Sequence, residues 1–403
     1  MAGTYTLGTL NLYDSASYWV QPPGVQIEAP RTIWQESERL RGVSRQSRVR
    51  TTGLRSITIP MRVYGATAAA LRTNLDTLRA ECQKTSNTLT LQHDGDTSSL
   101  AYTCVRQTQP SVPWDIMYEL SHNARFDLIL TCEPFAYGTE VTLFSATSKA
   151  MPATMDLTAM VGDYAAPLEI TVASPSENIH CLYAGLIPDL TYTPYAEAEA
   201  LTWAGGTTSD VVNAAAHGGY VGRNTSTTVA VATYADTAGY LPGTYLPLVR
   251  GMVSANSLQA GYGYGGTEYD AVAIATTYLS VEELTRIALP IVETGTGTAA
   301  NLQVRQAQVV SGNGDTDWWG LLPLTWGWAA WHHATPASDT TGLVLGYDGS
   351  WYAAGVADYA NGHGSALEAD RTMRLVLFGD DANGTEDSLT ANITIKYVPR
   401  YAQ

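Results

Sequence analysis

The stretch GLRSITIPMRVYGATAAALRTNLDTLRAECQ, residues 53–83, changes its hydrophobic period at one glycine, Gly65. Before it, apolar residues alternate, which predicts a strand with one buried face. After it, they recur at helical spacing, which predicts a helix with one buried stripe. Gly65 has the backbone freedom for the turn, and we expect Thr67 to cap the helix. The two buried sets are Ile57, Ile59, Met61 and Val63 on the strand and Leu71, Leu75, Leu78 and Cys82 on the helix.

The rest of the chain is typical of strands. Thr and Tyr suit half-buried pleated surfaces, and the 36 glycines suit the turns between many short strands. A length of 403 residues suggests two or three domains. No apolar run approaches the ~18 residues of a membrane-spanning helix, and the first residues have no secretory signal pattern. We therefore predict a mainly β fold with one covering helix and no membrane insertion.

The charge is divided unevenly along the chain. Residues 1–138 have a net charge of +1, whereas the remainder has −17. This asymmetry indicates two bodies with different surroundings, and the acidic remainder argues against nucleic-acid binding there. The cysteines are scattered without a C-x-x-C pair, so we expect buried thiols rather than a disulfide framework or a zinc site, and we predict no metal and no cofactor. They are Cys82, Cys104, Cys132 and Cys181.

Three segments follow from the element pattern. Residues 1–140 form an N-terminal domain around the single helix, with a hairpin signal at Asp94-Gly95. Residues 141–162 have weak periodicity and many small residues, and we interpret them as a connecting segment. Residues 163–403 contain eight or so candidate strands with glycine-rich turns, which predicts a C-terminal β-sandwich of jelly-roll type.

The order of elements in the first segment resembles a known family. An arginine-rich hairpin precedes the strand ITIPMRVYG (57–65), which is followed by the leucine-bearing helix, the strand LTLQ (89–92) and a late strand ending in CEPF (132–135). This order is similar to the N-terminal domain of distal tail proteins, also called minor tail proteins, of long-tailed (siphovirus-type) bacteriophages. The following APLEITVAS (166–174) looks like the start of the galectin-like or carbohydrate-binding-module-like sandwich appended to many members.

The resemblance implies a structural virion protein rather than an enzyme. Family members form a ring at the distal end of the phage tail, most often a hexamer and sometimes a trimer, after synthesis in the bacterial cytoplasm. The implied partners are further copies of the chain, the tail tube protein, the tape measure protein and tail-tip, hub or fibre proteins of the baseplate. An alternative function is a carbohydrate-binding adhesin that attaches to host surface glycans through the C-terminal sandwich.

An arginine run is the sharpest charge feature of the N-terminal segment. Its members are Arg39, Arg41, Arg45, Arg48 and Arg50. Residues two apart on a strand share a face, and GVSRQSR (42–48) could form the tip of a hairpin. We consider three roles: a subunit or tube interface where guanidinium groups pair with carboxylates, contact with DNA in the tail lumen, and a solvated basic face. Specific nucleic-acid binding is not predicted, because a conduit should not hold its cargo tightly.

Tryptophans are concentrated in residues 317–351. The candidate glycan platform consists of Trp326, Trp328, Trp331, Trp351 and Asp348, with Trp326 and Trp328 on one strand face. Because aromatic residues also fill sandwich cores and subunit interfaces, burial of these side chains is the alternative.

Acidic clusters and enzyme motifs give no further site. NGDTDWW (313–319) and GDDANGTED (379–387) lack the spaced glutamate of a calcium loop, so we expect acidic turns. The sequence has no G-x-S-x-G, Walker A or H-E-x-x-H motif. A polysaccharide hydrolase with two carboxylates in a jelly-roll groove is the third hypothesis.

Overall fold

A computed structural model gives the fold, and it divides the chain into two compact units. The first unit contains residues 1–140, 162–164 and 398–403, and the second contains residues 141–161 and 165–397. The described residues are 4–30, 32–36, 48–92, 99–108, 122–174, 178–206, 208–213, 216–233, 241–253, 258–264, 267–274, 280–284, 286–289, 302–308, 313–332, 340–381 and 389–402.

The described residues before 141 form eleven strands and one α-helix. They are β1 (Thr4–Leu7), β2 (Leu10–Asn11), β3 (Tyr18–Val20), β4 (Gln26–Ile27), β5 (Thr32–Glu36), β6 (Arg48–Thr52), β7 (Arg55–Tyr64), α1 (Ala68–Cys82), β8 (Asn87–Gln92), β9 (Leu100–Gln107), β10 (Asn123–Cys132) and β11 (Ala136–Tyr137).

In the described part of the second unit there are 24 strands and a 3-10 turn at His217–Gly219. A last strand, β36 (Arg400–Tyr401), belongs to the first unit. The strands of the second unit are β12 (Val141–Ala150), β13 (Ala153–Asp156), β14 (Ala166–Ala173), β15 (Ile179–Ile187), β16 (Tyr195–Glu197), β17 (Trp203–Ala204), β18 (Thr208–Val212), β19 (Tyr220–Asn224), β20 (Ala230–Thr233), β21 (Gly243–Val253), β22 (Leu258–Tyr264), β23 (Thr267–Ile274), β24 (Ser280–Glu283), β25 (Ile287–Leu289), β26 (Leu302–Gln308), β27 (Gly314–Pro323), β28 (Trp328–His332), β29 (Gly342–Leu345), β30 (Trp351–Ala353), β31 (Val356–Ala357), β32 (Gly362–Gly364), β33 (Glu368–Ala369), β34 (Arg374–Asp381) and β35 (Thr390–Tyr397).

The first unit is built on one antiparallel sheet. Its main path runs β2-β1-β8-β9-β10-β7-β3, with β4 on β7 and with β11 joining β9 to β36. The predicted hairpin has its arms in β8 and β9, where Leu91 lies opposite Leu100 and Leu89 opposite Tyr102, whereas Asp94-Gly95 lies outside the described residues. The predicted fold class, mainly β with one covering α-helix among the described residues, is confirmed.

The switch from β7 to α1 has the predicted periods. All four alternating residues of β7 and all four stripe residues of α1 are buried in one cluster. The reason for Gly65 differs from the prediction, because its φ is not among the positive values of the chain. A Cβ at Gly65 would lie 2.1 Å from the backbone nitrogen of Leu71. Space for the returning helix, rather than backbone freedom, therefore requires glycine here.

Side chains fix the start of α1 against the sheet. Thr67 Oγ1 accepts a hydrogen bond from the backbone N–H of Ala70 at 3.1 Å, which makes Thr67 the predicted N-cap. Within the helix, the Asn74 side chain donates to the Tyr64 carbonyl at 2.6 Å, and the Tyr18 hydroxyl donates to the Asn74 carbonyl at 2.8 Å. These two bonds connect the helix to β7 and to its neighbour β3.

An outer sandwich forms one part of the second unit. One sheet runs β12-β35-β14-β29-β30-β31 with β33 on β14, and the other runs β13-β34-β15-β28-β32. Their facing side chains form one apolar cluster that includes Ile170, Val172, Leu377 and Ile393. Alternation along β14 and β35, with every second residue buried, produces this core from sequence pattern alone.

A second pair of sheets is inserted into this sandwich between β15 and β28. One sheet runs β18-β19-β27-β21-β24 with β16 on β27 and β25 on β21, and the other runs β17-β20-β26-β22-β23. Every residue of β27 is buried. Trp318 packs on Phe378 of β34 at 5.5 Å between ring centroids, whereas Trp319 packs on Tyr262 of β22 at 5.5 Å. The sheet of β27 therefore lies between the outer sandwich and the sheet of β22.

Two sequence expectations about this region differ from the structure. The segment 141–162 is not a bare connection, because β12 pairs along its length with β35 and β13 pairs with β34. Small residues and the register shifts in β12 obscured its alternation. Among the described residues, 163–403 contribute strands to five sheets, one of which is the first unit's sheet through β36, rather than to a single sandwich. The segment boundaries at 140 and 163 stay predictions.

Candidate functional site

The arginine hairpin is described only in its two strands. β5 pairs antiparallel with β6, and the register places Glu36 opposite Arg48 and Trp34 opposite Arg50. Arg48 and Arg50 are two apart on β6, as predicted, and the two strands form a separate two-stranded sheet of the first unit. Arg39, Arg41 and Arg45 lie outside the described residues. The interface role of the five arginines stays a prediction.

Two members of the predicted tryptophan platform are core residues. Trp331 is completely buried, and its indole N–H donates to Asp358 at 2.9 Å. Trp351 is 2% exposed and belongs to the same apolar cluster of the outer sandwich. A buried indole has no free face for a sugar ring, so the platform as predicted is wrong for these two residues. Because the indole side chain has a large apolar area, its burial in the core outweighs its use as an exposed sugar platform.

The other two tryptophans do not share a strand face. Trp328 begins β28, but Trp326 precedes the strand, and Gly327 between them has φ of 129°, which breaks the alternation. Trp326 packs on the Tyr245 ring at 6.3 Å between centroids. The Arg286 guanidinium lies 5.2 Å from the centre of the Trp328 ring. Both side chains are half-buried at the border of the inner core.

Asp348 lies in a shallow depression of about 440 Å³ on the outer sandwich. Its carboxylate accepts hydrogen bonds from the backbone N–H and hydroxyl of Ser350, and the residue is exposed. The depression is also lined by Tyr347, Tyr352 and Glu169. Two half-buried aromatic rings and two carboxylates therefore border one open surface on this unit.

A second depression, of about 530 Å³, lies on the first unit and was missed by sequence analysis. It is lined by rings from three strands and the loop after β2, and its centre is Trp19, which is 41% exposed. Tyr13 lies edge-on to Trp19 at 6.0 Å, and Arg62 stacks 4.5 Å above the Tyr64 ring. The sequence did contain a signal for this surface. Arg62 and Tyr64 alternate with the buried residues of β7, so both belong to the outward face of that strand. We call this surface the Trp19 cleft.

A buried ion network lies between the inserted sheets and the outer sandwich. Arg250 of β21 donates to Asp317 of β27 at 2.6 Å and to Asp380 of β34 at 2.9 Å. All three side chains are at most 1% exposed. The acidic turns predicted for Asp317 and Asp380 are wrong, because Asp317 lies in β27 and Asp380 lies in β34. A charged residue in a core strand cannot be recognised as buried from the sequence until the residue that pairs with it is known.

The network places unusual protonation states in the core. Burial raises the pKa of Asp317 to about 7, although the Arg250 charge opposes this effect. Burial also raises the pKa of Asp380. Nearby, a hydrogen bond to Glu197 raises the pKa of His217, whose backbone N–H donates to Asp317 at 3.1 Å. Two carboxylates share one guanidinium here, and burial favours the protonated form of each carboxylate.

The described part of the chain holds no group of three or more His, Cys, Asp or Glu side chains placed to bind a metal ion. Over the same ranges, no helix has the length and apolar composition needed to cross a membrane.

Comparison with known proteins gives structural likenesses only. No protein-family model matches the chain, and no curated protein matches it. Among solved structures it is similar to the Dit (gp 19.1) protein of phage SPP1, with 12% identity over 79% of this chain and 99% of that one and a TM-score of 0.33. It is similar to a chain of the phage P2 baseplate in its activated conformation with Ca, with 11% identity, 99% and 98% coverage and a TM-score of 0.26. It is also similar to an exo-β-1,3-galactanase of Phanerochaete chrysosporium, with 8% identity, 66% and 65% coverage and a TM-score of 0.25. At these scores the likenesses carry no argument about function.

Proposed function

We propose that the chain is a structural protein of a bacteriophage tail tip. The observation that carries the proposal is the order of elements around Gly65. In that order, β7 turns into α1, the β8–β9 hairpin follows, and β10 ends at Cys132 just before Glu133, Pro134 and Phe135. This is the order on which the sequence resemblance to distal tail proteins rests. The protein acts by assembly rather than by catalysis.

The first unit assembles into a closed ring. We expect six copies in the ring, and three copies are the alternative. Among the described strands, β2 and β3 end the path of the sheet, and a strand at the end of a sheet offers unpaired backbone groups to another chain. The separate β5–β6 hairpin carries Arg48 and Arg50. Contacts between different surfaces of identical subunits close into a ring when the rotation permits.

The partners in this proposal are those of a tail tip. The ring joins the tail tube and tape measure protein to hub or fibre proteins at the distal end of the virion. Residues 139–403, which include the second unit, have a net charge of −17, and such a charge favours the solubility of an exposed part of the virion.

The test is the oligomeric state of the purified chain. We expect a sixfold annulus in negative-stain images and a matching mass by native mass spectrometry, with a threefold annulus as the other form of the ring. The variant Arg48→Glu/Arg50→Glu should lose the ring, because it reverses the charge of the hairpin. Arg72→Glu, an exposed substitution on α1, is the matched control and should retain it. A monomer at high concentration, also when mixed with tail tube protein, contradicts the proposal.

A second candidate function is glycan binding by the outer sandwich. The observation that favours it is the depression in which Asp348 and Glu169 lie beside the rings of Tyr347 and Tyr352. Aromatic faces and carboxylates together suit a sugar, which has apolar ring faces and hydroxyl donors. Binding on an array of host envelope polysaccharides should be lost in Tyr352→Ala and Asp348→Asn. The control is Tyr359→Ala, because Tyr359 is exposed outside this depression. If no glycan on the array binds, assembly is the one proposed function that remains.

A further inference from the structure

Two cysteines of the first unit lie directly opposite each other on neighbouring strands. The antiparallel register of β10 and β9 pairs Cys132 with Cys104. Their Sγ atoms are 3.1 Å apart, and both side chains are completely buried. Both thiols are free in this structure.

The sulfur atoms already lie close to bonding distance. The pairing of β10 with β9 shifts register between Thr131 and Cys132, so this pair lies at an irregularity of the ladder. The Sγ–Sγ distance of 3.1 Å is about 1 Å longer than the S–S bond of about 2.05 Å. A shift of about 1 Å between the two sulfurs is therefore the movement that the bond requires.

A buried cation lies beside the two thiols. Arg55 of β7 is opposite Cys132 on the other side of β10, and it is 1% exposed. Its Nη2 donates to the carbonyl oxygens of Pro134 and Ala402. Its Nε and Nη1 groups have no hydrogen-bond partner among the described residues. The guanidinium therefore has donors and a positive charge beside Cys132, and this charge favours the thiolate form of that residue.

The two thiols are not equivalent. A hydrogen bond from Cys132 lowers the pKa of the Cys104 thiol. The same bond and burial raise the pKa of Cys132, and the Arg55 charge opposes this rise. Because the thiolate is the nucleophile in thiol–disulfide exchange, the cysteine that ionises attacks the oxidant and the other cysteine resolves the intermediate.

We propose that Cys104 and Cys132 are a thiol oxidation site that forms a cross-strand disulfide with a small disulfide as oxidant. The thiolate of one cysteine attacks one sulfur of the oxidant, whose S–S bond breaks and releases one thiol. The other cysteine then loses its proton and attacks the Sγ of the first, and the mixed disulfide breaks and releases the second thiol. Two protein thiols are oxidised and one oxidant disulfide is reduced to two thiols. The proposal does not depend on the function proposed above.

The bond would join β9 and β10 across the connection 108–122. A cross-link that closes a loop restricts the unfolded chain and so stabilises the folded unit. Because both sulfurs are buried, the oxidant reaches them only when the sheet opens locally. Local opening requires less free energy than unfolding of the whole unit. Oxidation should therefore be faster in low urea than in buffer, while the fold is still native.

The experiment treats the folded chain with 2-hydroxyethyl disulfide, in buffer and in urea below the unfolding transition. After acid quenching, denaturation and alkylation, mass spectrometry counts free thiols and peptide mapping locates any cross-link. We expect two of the four thiols to be lost together, with Cys104 linked to Cys132 and full reversal by dithiothreitol. The thermal midpoint of the first unit should rise by several degrees on oxidation.

Matched variants separate this site from general oxidation. Cys132→Ser should give no intramolecular cross-link and should leave a mixed disulfide on Cys104. Cys82→Ser and Cys181→Ser also remove buried thiols, and both should retain the cross-link. Four free thiols in the native protein in both media, or a cross-link through Cys82 or Cys181, would overturn the proposal. Peptide mapping of the unsubstituted chain decides the question even if a variant fails to fold.

Discussion

At the scale of single residues, the molecule depends on close approaches that the sequence does not display. Gly65 is glycine because the returning helix occupies the space of a side chain, with Leu71 nitrogen 2.1 Å and Leu71 Cα 2.6 Å from the position of a Cβ. Gly320 likewise lies against the Phe378 ring, which is 2.4 Å from the position of its Cβ. Both glycines allow two elements to meet.

We expect Gly65→Ala to destabilise the first unit by about 2–4 kcal/mol, because the methyl group overlaps helix backbone that cannot move away without loss of packing. Denaturant unfolding followed by circular dichroism measures the change. Gly342→Ala is the control, since its nearest atom is 4.0 Å away and its φ is not positive. Equal effects of the two substitutions would show that the close approach at Gly65 is not rigid.

The buried carboxylate of Asp317 should make stability depend on pH. Its folded pKa of about 7 lies above its ordinary value of 3.8. Between these values the folded state holds a proton that the unfolded chain has lost, so the free energy of unfolding falls as pH rises from about 4 to about 7. In Asp317→Asn this decline should be smaller by at least about 1 kcal/mol. Denaturant titrations across that range measure it.

The control for this prediction is Asp358→Asn. Hydrogen bonds from Asn361 and Trp331 outweigh burial and lower the pKa of Asp358, so its contribution changes only below the ordinary aspartate pKa. This variant should retain the decline of the unsubstituted protein. If Asp317→Asn retained it as well, the proton would belong to another group, with His217 and Asp380 the nearest candidates.

At the scale of elements, the N-cap of α1 is a local device with a measurable effect. Thr67→Ala removes the acceptor for the Ala70 N–H, and we expect a loss of about 1 kcal/mol in the free energy of unfolding. Thr67→Ser retains the hydroxyl and should lose only a few tenths. Thermal unfolding of both variants compares them. A loss in Thr67→Ser as large as in Thr67→Ala would assign the effect to the methyl group.

Elements with one buried face could be predicted from the sequence, and elements buried on both faces could not. The residues of β7 and α1 alternate or recur as expected, because each element has one apolar side. In contrast, β27 is buried throughout, so Asp315 and Asp317 resemble a polar turn although they lie in a core strand. The tryptophan site failed for a different reason: β30 is buried only at Trp351, and the sequence does not show which large aromatic side chains of this region point into the core.

At the scale of the whole molecule, the two compact units have separate apolar cores. One cluster contains Leu78 and Ile59, and another contains Val172 and Ile393. Because separate cores need not unfold together, no single midpoint should describe the protein.

We therefore expect two transitions in calorimetry. Leu78→Ala should lower one midpoint by several degrees through loss of about 2–5 kcal/mol of packing, and Ile393→Ala should lower the other by a similar mechanism. Each variant should leave the second transition in place. A single transition that moves in both variants would show that the units unfold as one.

The route of the chain through the second unit has a consequence for engineering. The strands at either end of the insertion, β15 and β28, are hydrogen-bonded neighbours, with Gly185 opposite Trp328. A short turn could thus replace residues 188–327 without interrupting the ladder, and exchange of this cassette would not alter the outer sandwich's connectivity. Excision would, however, remove Arg250, the ion-pair partner of Asp380, and Trp318, which packs on the Phe378 ring. The Asp380 carboxylate would lose its counter-ion, and the Phe378 ring would be exposed to solvent. A transplantable scaffold would require both positions to be redesigned at the same time.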